Sequence, residues 1–236
     1  MAVMDKEMIK AVHITKKYGN KHILQDISFQ VAGGERIAVV GKNGCGKTTL
    51  MQILSGILKP DSGELFYLGK NAHEDNKVFR SICGYVPQED PLMEELSVKD
   101  NLRLWSAAKG ADYHDVISFF ELESIMKMPV KKLSGGMKRR LSIACSLIGW
   151  PPVLLMDEPT TALDLYYKEN IRRLMTAYQK RNGILLITTH DEAEIMECDR
   201  CFVIDKGNIT ELAKTEITLE KMKKAMGIIT DVSSDI

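Results

Sequence analysis

Polar and apolar residues alternate in two early segments, MIKAVHI at 8–14 and ISFQV at 27–31, and this pattern predicts antiparallel strands near a sheet edge. The pattern then changes. RIAVV at 36–40 is a short β-branched apolar run, suited to a strand buried on both faces. VLLM at 153–156, ILLIT at 184–188 and FVI at 202–204 have the same character. Such runs, separated by helical stretches, predict a parallel α/β sheet. One of those stretches, YYKENIRRLMTAYQKR, spaces Tyr167, Ile171, Leu174, Met175 and Tyr178 as a core-facing helical stripe. Between about Pro91 and Gly149, helical patterns succeed one another without a buried strand. The expectation is one domain over 1–236, with an α/β core in 1–90 and 150–212. A helical subdomain is inserted at 91–149, and 213–236 forms a C-terminal helix and a frayed polar tail, TDVSSDI.

Composition narrows the class of partners. Among 236 residues, 32 are basic and 32 acidic, so no overall field holds the chain to nucleic acid or an acidic membrane. MAVMDKEMIK places Asp5 and Glu7 where a signal peptide needs an apolar core. The most apolar stretch, IACSLIGWPPVLLM at 143–156, is short for a membrane span and is interrupted by Pro151 and Pro152. A cytosolic chain with no membrane segment of its own is expected. The five cysteines (Cys45, Cys83, Cys145, Cys198, Cys201) do not suggest a disulfide framework. Cys198 and Cys201 form a C-x-x-C without further zinc ligands or a thioredoxin-like context, and read as small apolar side chains near a helix-to-strand junction.

Candidate chemistry begins after RIAVV. Residues Gly41, Lys42, Asn43, Gly44, Cys45, Gly46, Lys47, Thr48 and Thr49 spell G-x-x-x-x-G-K-[ST] between a buried strand and an apolar helix. Gly41, Gly44 and Gly46 let the backbone turn its N–H groups toward one anion, and the helix opening near Lys47 adds its dipole. Lys47 brings a point charge to the β- and γ-phosphates, and the Thr48 hydroxyl can ligate Mg²⁺. Cys45 lies in this electropositive loop, which is expected to lower its thiol pKa. VLLMDEP then brings Asp157 to the carboxyl end of another buried strand as a Mg²⁺ ligand. Glu158 follows, suited to orient or polarise an attacking water. His190 stands just beyond ILLIT, within reach of a γ-phosphate on the same sheet edge.

In their order, these motifs resemble the ATP-binding cassette (ABC) ATPases over about residues 9–212. GKNGCGKT matches the phosphate loop, YVPQ with Gln88 the Q-loop, LSGGM the signature and MDEP the metal strand. TALD with Asp164 matches the D-loop and TTH with His190 the switch histidine. Tyr18 in KKYGN stands where this family stacks an aromatic ring on adenine. The resemblance implies a P-loop NTPase fold: a mostly parallel core sheet, an N-terminal antiparallel β edge and an inserted α-helical subdomain. It implies ATP hydrolysis with Mg²⁺ held by Thr48, Gln88 and Asp157, with Glu158, His190, Lys47 and Gln88 in the chemistry. It also implies head-to-tail pairing with a second ATPase subunit, identical or homologous, whose nucleotide is capped by Ser134, Gly135, Gly136 and Asp164.

A separate transmembrane permease would be the other partner, placing the protein on the cytoplasmic face of the membrane. From the residues alone, LSGG is a phosphate-ready helix start. Met137 stands where many members have Gln and opens a packed stripe with Leu141, Ala144, Cys145 and Ile148. Met137 followed by KRRLSIA resembles the exporter-type branch. Lys138, Arg139 and Arg140 read as a solvated helix face rather than a nucleic-acid patch. A soluble ABC ATPase acting on a non-transport partner is the alternative. Long heptad coiled coils and a second set of motifs are absent from the sequence, against chromosome-type and translation-associated members.

Overall fold

A computed structural model describes residues 7–72, 77–161 and 163–228. The first strands are β1 (Glu7–Tyr18), β2 (Lys21–Ala32), β3 (Arg36–Gly41), β4 (Ser62–Tyr67) and β5 (Lys70–Asn71). The later ones are β6 (Cys83–Val86), β7 (Val153–Asp157), β8 (Ile184–Thr188), β9 (Arg200–Asp205) and β10 (Asn208–Ala213). The helices of the first half are α1 (Lys47–Leu54), α2 (Lys77–Ile82), α3 (Val98–Lys109) and α4 (His114–Phe119). They are followed by α5 (Gly135–Leu147), α6 (Leu165–Lys180), α7 (Glu192–Met196) and α8 (Leu219–Ala225).

The strands form two sheets. β2-β1-β4-β5 is antiparallel, with β1 paired on both sides. The other runs β10-β9-β3-β8-β7-β6, parallel except for the antiparallel edge strand β10. The continuous apolar runs are explained by two-sided burial, since successive side chains of a strand point to opposite faces. On one face Ile37, Val39, Leu155 and Leu186 pack with Leu50, Met51 and Leu54 of α1 and with the antiparallel sheet. On the other, Ala38, Val40, Met156 and Leu185 pack against helical residues, among them Leu102, Leu141 and Met175. Each fully buried Val, Leu, Ile or Met side chain contributes roughly 1.5–3 kcal/mol.

Sequence patterning misses β6. CGYV is short and carries a glycine, but it pairs in register with β7 at the sheet edge. Gly84 is there because α5 crosses closely: a Cβ would stand 2.5 Å from the Ser146 carbonyl oxygen. Within 91–149 the chain is helical, apart from an isolated bridge between Ser97 and Pro129. Ser97 caps α3 by accepting the Asp100 N–H at 3.1 Å, and Gly110 closes that helix in the left-handed conformation. Among the described residues no helix is long and apolar enough to cross a membrane. The frayed tail expected at 230–236 lies outside the described residues. All five cysteines are free thiols. Burial pushes Cys198 and Cys201 up to about 12, and both pack in the core as apolar side chains.

Candidate active site

The turn between β3 and α1 uses conformations that side chains resist. Gly41, Gly44 and Gly46 have φ of 154°, 75° and 116°. A Cβ on Gly41 would run into the Ile204 carbonyl oxygen of β9, and one on Gly46 would stand 3.1 Å from the Ile23 carbonyl oxygen. Lys47 is buried, and its ammonium donates to the carbonyl oxygens of Gly41 at 2.9 Å and Lys42 at 3.3 Å. The loop residues Asn43, Gly44, Gly46, Lys47, Thr48 and Thr49 line a polar cleft of about 430 Å³. Gln88, Glu158 and His190 close its other side, and Ile23 of β2 borders it. Residues far apart in sequence thus meet at the carboxyl edge of the parallel strands, as topology dictates for an open α/β sheet.

Asp157 ends β7 and is 1% exposed. One carboxylate oxygen accepts the Thr188 hydroxyl, while Oδ2 is buried with no hydrogen-bond partner among the described residues. Burial, then the charge of Asp157, pushes the neighbouring Tyr85 phenol above its usual range. Glu158 follows with φ of 48°, a left-handed backbone uncommon for a side chain of its size. Its N–H donates to the Thr188 hydroxyl at 2.9 Å and carbonyl at 3.1 Å. Its carboxylate accepts from Gln88 Nε2 at 3.2 Å and from the Thr161 hydroxyl at 3.1 Å, and lies 3.5 Å from His190 Nε2.

Other candidate residues lie apart from this cleft. Ser134 caps α5 by accepting the Met137 N–H at 3.3 Å. Gly135 faces open space, whereas Gly136 presses on the Tyr167 ring. Asp164 caps α6 by accepting the Tyr167 N–H at 3.0 Å, and the hydroxyls of Tyr167 and Ser134 are 3.5 Å apart. Tyr18 ends β1 in a half-exposed position outside the cleft lining, with the Lys16 ammonium 5.9 Å from its ring centre.

Two expectations need correction. Cys45 is partly buried, and this desolvation, opposed by the Lys47 charge, moves its thiol pKa up rather than down. Lys138 and Arg140 are half-buried and pair with Glu94 and Glu121, whereas Arg139 turns inward and is buried. A basic triplet spans more than half a helical turn, so its members cannot share one face. Ile23, Thr161 and Thr188 were also missed. Thr188 alone had a signal, as a polar residue ending an apolar strand directly beside Asp157 in the sheet.

The sequence model described as ABC transporter matches residues 24–161 of this chain. The chain belongs to the ABC transporter family. This cassette is 38% identical over 213 residues to Nod factor export ATP-binding protein I of Bradyrhizobium diazoefficiens, covering 86% of the chain and 69% of that protein. To the protein of the same name in Sinorhizobium fredii it is 35% identical, over 84% of the chain. It spans 60% of that relative's length. Among solved structures, the dimeric post-hydrolysis state of the ATP-binding cassette MJ0796, bound to ADP and Pi, superposes with a TM-score of 0.78. That alignment has 25% identity and covers 88% of this chain and 99% of that one. CbiO1 from Clostridium perfringens, part of the ABC transporter complex cbiONQ, gives 0.78 at 29% identity, covering 92% of each chain.

Proposed function

We propose that this cassette is the ATP-hydrolysing subunit of an exporter-type ABC transporter, working as a head-to-tail pair on a separate transmembrane permease. The observation that carries the reading is the convergence of Lys47, Gln88, Glu158 and His190 on the cleft of the phosphate loop. Backbone N–H groups and Lys47 hold the β- and γ-phosphates. Thr48 and Asp157 are the residues that would hold Mg²⁺, with Gln88 beside them. The buried, unpartnered Oδ2 of Asp157 fits a cation bound mainly by phosphate and hydroxyl oxygens. When bound, Mg²⁺ neutralises charge on the transferring phosphoryl group. Glu158 orients and polarises the attacking water, and His190 donates a hydrogen bond toward the γ-phosphate.

Ser134, Gly135, Gly136 and Asp164 lie outside the cleft of their own chain and serve the nucleotide of the paired subunit. Closure is then a population shift driven by contacts to the γ-phosphate. Past Gln88, exposed Met93, Leu96 and Leu104 offer apolar surface to a permease on the cytoplasmic side of the membrane. The similar proteins of Bradyrhizobium diazoefficiens and Sinorhizobium fredii are export ATP-binding proteins, which supports this direction of transport. The decisive experiment replaces Glu158 by Gln. ATP binding should persist while steady-state hydrolysis falls by about 100-fold or more. Turnover comparable to wild type would remove Glu158 from its assigned role.

A further inference from the structure

Arg139 lies next to the signature, and its hydrogen bonds leave α5 altogether. Nε donates to the Pro159 carbonyl at 3.0 Å. One terminal nitrogen donates to the Pro87 carbonyl at 2.6 Å and to Asp90 Oδ1 at 3.0 Å. The other donates to the carbonyls of Asp157 at 2.9 Å and Glu158 at 3.3 Å. These five bonds match the five N–H groups of a guanidinium. A lysine has three donors on one nitrogen and cannot reach acceptors spread around a plane.

The acceptors are the turn flanking Gln88 and three consecutive carbonyls at Asp157, Glu158 and Pro159. The carbonyls converge because Glu158 takes its left-handed conformation, at a cost of order 1–3 kcal/mol that surrounding contacts must offset. Thr188 holds the Glu158 N–H from one side, and Arg139 holds the carbonyls from the other. The 3.2 Å contact between Gln88 and Glu158 depends on both backbones being fixed relative to each other. Among the described residues, Arg139 is the single side chain that bonds to both segments while belonging to the signature helix. We infer that Arg139 is a positioning residue: it fixes the backbones bearing Gln88 and Glu158 to each other and to α5, so that movement of the signature helix reaches the hydrolytic carboxylate. This rests on the ATPase reading above.

The test compares the full-length wild type with Arg139→Lys and Arg139→Gln. Thermal unfolding, binding of a fluorescent ATP analogue, steady-state hydrolysis, and amide exchange of residues 86–92 and 157–161 without nucleotide are measured. In Arg139→Lys, analogue affinity and KM should stay within about two-fold while kcat falls about 100-fold, the scale of a ~1 Å misplacement. Exchange should rise in both segments. Loss of hydrolysis in step with lost binding and lower Tm would mark a mere structural prop and overturn the inference, as would a kcat within about three-fold of wild type. If Arg139→Gln does not fold, Arg139→Lys decides. If the wild type itself hydrolyses no ATP, the functional reading fails, and exchange alone decides: unchanged protection in Arg139→Lys overturns the positioning role.

Discussion

The phosphate loop and the signature helix start are both glycine-lined and both suited to an anion, but their glycines answer different needs. Gly41, Gly44 and Gly46 are required by backbone shape, each in a positive-φ conformation. Gly135 and Gly136 open α5, where glycine costs less, relative to alanine, than the about 0.5–1 kcal/mol of a helix interior. Gly136 is explained by the Tyr167 ring against it. Among the described residues nothing lies within 4 Å of where a Gly135 Cβ would stand, so no contact with them requires the glycine. A glycine that costs stability and relieves no internal crowding fits a surface kept bare for something outside the chain. The first set of glycines is required within its own chain, and the second suits the contact proposed with a neighbour.

Substitutions can break or sharpen this contrast. Gly41→Ala forces a side chain into a left-handed position against a β9 carbonyl. It should lose about 2–5 kcal/mol of stability, with ATP binding lost as well, in urea unfolding and nucleotide titration. Gly136→Ala should lose about 1–3 kcal/mol, roughly 2–12 °C in Tm, because the Tyr167 ring must move. Gly135→Ala should instead gain up to about 0.5 kcal/mol in thermal unfolding, less than the same change in a helix interior. It should nevertheless slow hydrolysis while leaving nucleotide binding by the single chain unchanged. Full turnover in Gly135→Ala would erase the distinction between the two sites.

The smallest effect concerns the far end of α5, where Lys109 donates to the carbonyl oxygens of Ser146 and Ile148. Burial lowers its amine to about 8 from 10.5, against weaker opposing effects of Cys83 and Cys145. The native state therefore releases a proton below the pH at which the unfolded chain does. The unfolded chain binds more protons across that window, so this group adds stability as pH rises from about 8 toward 10.5. Urea unfolding at about pH 7.5 and about pH 9.5 should move the comparison with Lys109→Met in favour of wild type at the higher pH. ATP binding should be the same in both proteins.

The sequence makes local chemistry legible. RIAVV, VLLM and ILLIT are buried strands, and the phosphate loop, Asp157, Glu158 and His190 sit at their carboxyl ends. What it hides is decided by non-local packing. CGYV is a strand because β7 offers it an edge, and Gly84 makes room for α5 rather than for a turn. Arg139 looks like one of three solvated charges, and only the approach of two remote backbones gives it acceptors. At Cys45 the sequence shows the nearby lysine but not the depth of the thiol, so desolvation reverses the expected sign. Tyr18 remains a proposed adenine contact, outside the cleft lining.

Tyr167 has a consequence for how such cassettes diverge. Its N–H is held by Asp164, its ring seats Gly136, and its hydroxyl lies beside that of Ser134. In the proposed pairing these are the two surfaces a subunit presents to its neighbour's nucleotide, and a single codon touches both. After gene duplication, a change of this side chain would loosen the signature surface of one copy, and a change to proline would also remove the N–H that Asp164 accepts. Only one of the two shared ATP sites would then be weakened, so asymmetry between paired subunits is a single mutational step away.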